Sequence, residues 1–170
     1  MSDKTTFSPE EWTTLCEAPA LTAMAVTIAG SSGLFGTFAE AFGTTSAMVE
    51  GMKSDNALIR AICTREDLLA AQQGLRTKLE DLKAGDLATA QNKVRMMALD
   101  SLRRAMEIVA AKGDAGDITA FNTFIRDVAT KVANAAKEGS FLGFGGERVS
   151  EGERTMLAAI TNALSVVRTT

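Results

Sequence analysis

Apolar side chains recur every three or four residues through most of the second half of the chain, and this spacing constrains the fold more than any other feature. The clearest stripe consists of Ile118, Phe121, Ile125, Val128 and Val132. Such a period puts the whole stripe on one side of an α-helix, which must bury that side against another element. We predict a helix that is capped by Asp114 and ends at Gly139.

Three further segments of this half are bounded by residues that begin or end helices. Ser150 and Glu153 have the spacing of a capping box, and Thr64 offers another N-cap. A long apolar stripe begins after Asp86 and is ended by Gly113. We therefore predict helices that start near Thr64, Asp86 and Ser150.

The first third of the chain predicts shorter helices. The sequence Phe7-Ser-Pro-Glu-Glu-Trp12 combines a cap, a first-turn proline and two apolar residues that can pack across the cap. Pro19 lacks an amide hydrogen, so we expect one helix to end just before it and a second to run from it to Gly30. Apolar residues predict further short helices within 34–42 and 58–62.

Together these segments predict an all-α fold, a compact bundle of about six to seven helices without a sheet. The chain is expected to form a single domain over residues 1–170. Residues 1–7 are expected to be a flexible N-terminus, and 8–63 to form short apolar helices that wrap the rest. The longer amphipathic helices are expected in 64–170.

Composition narrows the chemistry that the chain can perform. There is no histidine and no tyrosine, so a histidine-based catalytic triad is excluded within one chain. With 18 basic and 21 acidic residues the formal charge is -3, which disfavours nucleic acid and anionic lipid as partners. Cys16 and Cys63 have no CxxC spacing, and we interpret both as small buried apolar residues.

The segment from Gly139 to Gly146 places large apolar residues in a glycine-rich connection between two helices. We expect it to fold over the core or to contact a partner protein, since it lacks the sequence of a phosphate-binding loop. The interaction candidates are Phe141, Leu142, Phe144, Gly145 and Gly146.

Acidic residues cluster near two predicted helix starts. Helix capping accounts for them, and a hard divalent cation is the alternative if the two connections meet in space. The candidate metal ligands are Asp114, Asp117, Glu147, Glu151 and Glu153. No other cofactor is expected.

From Ala18 to Ala39 there are 22 residues without a charge. That length would cross a bilayer, but Pro19 and the Gly30-Ser-Ser-Gly33 sequence divide it into pieces that are too short. We expect a buried helical hairpin, and a membrane-active hairpin is the alternative. The polar beginning of the chain lacks the pattern of a signal peptide, so a cytoplasmic location is expected.

Two resemblances to known families add to these expectations. The stretches 7–12, 17–19 and 138–150 together resemble a family of small all-helical bacterial proteins that has no assigned activity. The final part, from Gly146 to Leu164, is similar to the TerB-like tellurite-resistance domain, a stress-associated helical fold with acidic metal sites. Gly145 and Gly146 stand where that domain carries an Asp-Gly pair, so one acidic ligand is missing.

These observations favour a non-enzymatic protein of the bacterial cytosol that acts through contacts with itself or with another protein. The alternatives are a TerB-like sensor of divalent metal and a membrane-active hairpin. No spacing in the sequence brings together a nucleophile, a base and an electrophile, so catalysis is not expected.

Overall fold

The computed structural model describes residues 2–30, 46–80, 86–138 and 150–165, and within these ranges the chain is helical with no strand. The predicted all-α bundle is thereby confirmed. A short 3-10 helix covers Lys4–Thr6. The α-helices are α1 Pro9–Gly30, α2 Ser46–Gly51, α3 Ala57–Ile62, α4 Arg65–Glu80, α5 Leu87–Lys112, α6 Ala115–Glu138 and α7 Glu151–Ser165.

Helix α1 lies at the centre of the bundle. Every residue from Leu15 to Val26 is buried, and α1 contacts α4, α5, α6 and α7. A helix that is apolar all round requires neighbours on every side, and its many alanines let those neighbours approach closely. The expectation that the N-terminal third wraps the longer helices is therefore wrong, because the longer helices surround α1.

Pro19 lies inside α1 and does not divide it, contrary to the prediction from sequence. A proline in a helix interior removes one backbone hydrogen bond, here to the carbonyl of Leu15. Pro19 is itself buried in the part of α1 that four other helices surround. Packing of that apolar segment outweighs the local cost of the proline, so the helix continues to Gly30.

The N-terminal residues before α1 are held in place, although the sequence led us to expect a flexible terminus. The backbone amide and hydroxyl of Ser2 both donate to Asp117, at 3.0 and 2.7 Å. Lys4 donates to Asp67 at 2.8 Å. The packing of Phe7 on Trp12, with ring centroids 5.9 Å apart, confirms the predicted contact across the cap of α1.

Two contacts between α1 and α5 show that these helices run in opposite directions. Lys112 donates to Glu11 at 2.5 Å, and Arg95 donates to the carbonyl of Ile28 at 3.5 Å. The two contacts are 17 residues apart on each helix, which corresponds to about 25 Å of helix axis. The bundle thus has one end near the start of α1 and another near Gly30.

Helix α7 extends between the same two ends. The side-chain amide of Asn122, near the start of α6, donates to the carbonyl of Leu164 at 3.2 Å. At the other end of the bundle, Gly152 of α7 packs against the backbone of Ala29. Helix α7 therefore begins beside the end of α1 and ends beside the start of α6.

The predicted helix starts after residue 57, and the predicted end at Gly113, agree with the structure. Asp86 caps α5, Gly113 follows its last residue, and Ser150 forms a reciprocal capping box with Glu153. The short helix predicted within 58–62 is α3, and Thr64 caps α4 through the amide of Asp67 at 3.2 Å. The helix predicted within 34–42 lies outside the described residues.

Candidate functional site

Asp117 is a buried acidic side chain with several hydrogen bonds. It is completely buried at the start of α6 and accepts from Ser2, from Asn56 at 2.8 Å, and from the amide of Asp114 at 3.2 Å. Burial alone raises the pKa of Asp117, but hydrogen bonds from Asn56 and Ser2 outweigh it and hold the pKa below its usual value. Asp117 therefore joins the N-terminus, the segment before α3 and α6.

Asp67 makes a second polar connection at the same end of the bundle. It accepts from Lys4, from the indole of Trp12 at 2.8 Å, and from the hydroxyl of Thr64 at 2.7 Å. Burial alone raises the pKa of Asp67, and the hydrogen bonds from Lys4, Thr64 and Trp12 outweigh that effect and lower it. These partners give Asp67 and Trp12 a structural role.

Glu153 lies at the opposite end of the bundle from Asp117. Its carboxylate accepts from the amide and the hydroxyl of Ser150, at 2.8 and 2.9 Å, and it packs against Gly30. Asp117 is bound to Ser2, whereas Glu153 packs on the last residue of α1, so about 25 Å or more of α1 separates them.

The acidic residues predicted from sequence therefore do not form one site. Asp114 and Asp117 cap α6 at one end of the bundle, and Glu151 and Glu153 begin α7 at the other. Glu147 lies outside the described residues. Within the described part of the chain, no group of three or more acidic or cysteine side chains is arranged to hold a metal ion.

Of the glycine-rich segment and the hairpin that the sequence singled out, the structure describes only part of the hairpin. The glycine-rich interaction candidates Phe141, Leu142, Phe144, Gly145 and Gly146 all lie outside the described residues. The first half of the expected hairpin, up to Gly30, belongs to the buried helix α1. None of the helices within the described ranges is long and apolar enough to cross a membrane.

The two cysteines are buried and unpaired with each other, as the sequence predicted. Burial raises the pKa of the Cys16 and Cys63 thiols to about 12. A thiol with so high a pKa stays protonated at neutral pH and is a poor nucleophile. Neither cysteine has the environment of a catalytic or redox-active thiol.

A groove lies between α2 and α6 and is here called the α2–α6 groove. Its volume is about 330 Å³. Ala47, Ile59 and Phe124 give it an apolar floor. Its rim carries both signs of charge, from Glu50, Asp127 and Lys131, and Lys131 forms an ion pair with Glu50.

Two exposed apolar side chains flank residues of this groove in the sequence. Val49 lies in α2 and Met52 directly follows the helix; they are 44% and 41% exposed, and neither lines the groove itself. Leu69 on α4 and Met96 on α5 are also exposed, but on helices that do not line the groove. The segment 46–52 therefore carries an exposed apolar pair as well as residues that line an apolar-floored groove, and we call the pair and the groove together the α2–α6 face.

A second hollow, here called the α1–α7 cleft, lies where the end of α1 meets α5 and the start of α7. It has a volume of about 390 Å³ and is lined by Ala29, Arg95, Glu151, Gly152, Thr155, Met156 and Ala159. Arg95 Nε is buried and has no hydrogen-bond acceptor among the described residues. The position of Arg95 in the sequence does not reveal that its side chain reaches the end of α1.

Comparison of the chain with models of protein families, with curated proteins and with solved structures finds no match.

Proposed function

We propose that the protein acts through protein–protein contacts and pairs with a second copy of itself through the α2–α6 face. The observation that carries the proposal is the exposed apolar pair Val49 and Met52, which flanks Glu50 and Gly51 of a groove whose floor is apolar. Apolar side chains that are exposed together on a short helix gain free energy when a partner covers them.

A second copy is the occupant that best fits the composition of this face. In a two-fold symmetric interface the same patch meets itself, so it must hold both halves of every contact. The face contains an exposed apolar pair and an apolar-floored groove. The pair of one copy can therefore pack into the groove of the other, and the reverse. It also carries acidic and basic rim residues, so Lys131 of one copy can approach an acidic rim residue such as Asp127 of the other.

The proposed action is non-enzymatic. We place it in a bacterium, as the resemblance of the N-terminal and 138–150 stretches to the bacterial family implies, and in the cytosol, because the polar start of the chain lacks a signal-peptide pattern. A stress-associated role rests in the same way on the similarity of the final helix to the TerB-like domain.

Sedimentation velocity across a range of roughly 5 to 200 µM tests the pairing. We expect a concentration-dependent species with twice the mass of one chain. Replacing both Val49 and Met52 with glutamate should weaken the pairing at least ~10-fold, because four like charges would be brought together in an apolar contact.

The matched control replaces Leu69 and Met96 with glutamate. These side chains are 55% and 65% exposed and lie on other helices, so this double variant should pair like the wild type. A wild-type chain that stays monomeric at every concentration contradicts the proposal. Equal weakening by both double variants contradicts it as well, since the effect would then come from charge alone.

A further inference from the structure

The side chain of Arg95 makes few hydrogen bonds to the described residues around it. Its Nη2 reaches the carbonyl of Ile28 only at 3.5 Å, and its Nε is buried without an acceptor among the described residues. A guanidinium carries five N–H donors, and leaving a buried donor unpaired costs stability. Arg95 could instead serve only to cap the end of α1 by donating to its carbonyl groups. The long distance to the Ile28 carbonyl shows that this hydrogen bond is weak, so capping alone does not account for the position of Arg95.

The α1–α7 cleft lies directly beside this side chain. Its volume of about 390 Å³ falls in the range of small-molecule sites, roughly 300 to 1,000 Å³. Ala29, Met156 and Ala159 give it an apolar wall, while Arg95 and Thr155 supply polar groups. A cleft with an apolar wall and a guanidinium whose donors are not all used fits a ligand that has an apolar body and one anionic group.

The charge around the cleft selects among anions. Glu151 also lines it and adds a negative charge that a dianion would meet at close range. A carboxylate carries a single charge and accepts two parallel hydrogen bonds from a guanidinium.

We propose that the α1–α7 cleft binds a small monocarboxylate whose carboxylate accepts hydrogen bonds from Arg95 and whose apolar body lies against Met156 and Ala159. This site is separate from the α2–α6 face, and its occupancy does not depend on whether two copies pair.

Two-dimensional ¹H–¹⁵N NMR titration of the whole chain with sodium hexanoate tests the proposal. We expect saturable shifts at the amides of Ala29, Gly152 and Thr155. Inorganic phosphate and 1-hexanol serve as comparison probes for the anion alone and the apolar body alone, and each should bind at least ~10-fold more weakly than hexanoate.

Two variants separate the roles of charge and shape. Arg95→Gln should weaken hexanoate binding at least ~10-fold, whereas Arg103→Gln, which alters an exposed arginine paired with Asp100 on the same helix, should leave it unchanged. Ala159→Leu fills the cleft and keeps Arg95, so it should also weaken binding. A thermal melt of each variant verifies folding.

Three results would overturn the proposal. The first is the lack of saturable shifts at these amides up to about 20 mM hexanoate. The second is binding of phosphate or 1-hexanol at the same amides as tightly as hexanoate. The third is unchanged hexanoate affinity in a folded Arg95→Gln or Ala159→Leu variant.

Discussion

At the scale of single residues, three buried carboxylates connect α1 and the segment before it to the rest of the bundle. Asp117 binds Ser2 and Asp67 binds Lys4, while Glu17 within α1 pairs with Lys78 of α4. A buried carboxylate is tolerated only when donors surround it, and each of these donors comes from a distant part of the chain. The interactions therefore specify how the elements are placed relative to one another.

Replacing Asp117 with asparagine should lower the free energy of unfolding by roughly 2 to 4 kcal/mol, measured by urea denaturation at pH 7. The asparagine keeps the size of the side chain but puts an N–H₂ group in place of one carboxylate oxygen, so it faces either the donors of Ser2 at Oδ2 or that of Asn56 at Oδ1. As a control, Asp127→Asn alters an exposed carboxylate on the same helix and should change stability by less than about 0.5 kcal/mol.

The difference between wild type and Asp117→Asn should also depend on pH. The pKa of Asp117 is lower in the folded chain than in the unfolded chain, so its contribution is fully present above about pH 4. That contribution is lost as the pH falls through the lower, folded-state pKa. A difference that stayed constant from pH 7 down to pH 2 would show that the Asp117 charge has no part in it.

At the scale of the helices, α1 and α7 approach each other at Gly152, the second residue of α7. A Cβ atom at this position would lie 2.3 Å from the carbonyl oxygen of Ala29, far inside contact distance. Because the obstructing atom belongs to the backbone of α1, the two helices would have to separate. Glycine here permits the contact that forms one wall of the α1–α7 cleft.

Gly152→Ala should therefore destabilise the fold by about 2 kcal/mol in urea denaturation, although alanine is the better helix former. Gly116→Ala is the matched control, since Gly116 is the second residue of α6. There the nearest atom is a side-chain oxygen of Asp114 at 3.0 Å. We expect the control to be neutral or up to about 1 kcal/mol more stable, and a similar loss in both variants would refute the close-contact explanation.

At the scale of the whole molecule, the central position of α1 makes the bundle interdependent. Helices α4, α5, α6 and α7 all contact α1, so each of them loses part of its buried face if α1 leaves. The large side chains of Leu15, Leu21 and Val26 have almost no exposure. The fold should thus unfold as one cooperative unit.

Hydrogen exchange should show this directly. We expect the amides from Leu21 to Val26 to be the slowest in the chain, because they become accessible only when the bundle unfolds globally. Leu21→Ala should lower the free energy of unfolding by about 3 kcal/mol, and the exchange rates of these amides should rise by the corresponding factor. Mass spectrometry or NMR measures both rates. Faster exchange in this segment than in α4, whose outer face is exposed, would show that α1 is not the core of the fold.

Local sequence patterns were sufficient to predict the all-α class and most helix boundaries after residue 57. Caps such as Asp86 and Ser150, and the glycine after α5, act through atoms within a few residues of themselves. The packing of Phe7 on Trp12 was predictable for the same reason, because the two residues are close together in the sequence. The interaction candidates in the glycine-rich segment remain predictions.

Only the tertiary structure decided which helix is central, that α1 continues through Pro19, and which polar groups meet. The buried surroundings of α1 outweigh the proline, and the pairings of Asp117 with Ser2 and of Arg95 with the end of α1 join residues far apart in the chain. Helical periodicity tells which side of a helix is buried but carries no information about its neighbour. The sequence alone thus determined what each segment becomes, and packing between distant segments decided where the candidate sites lie.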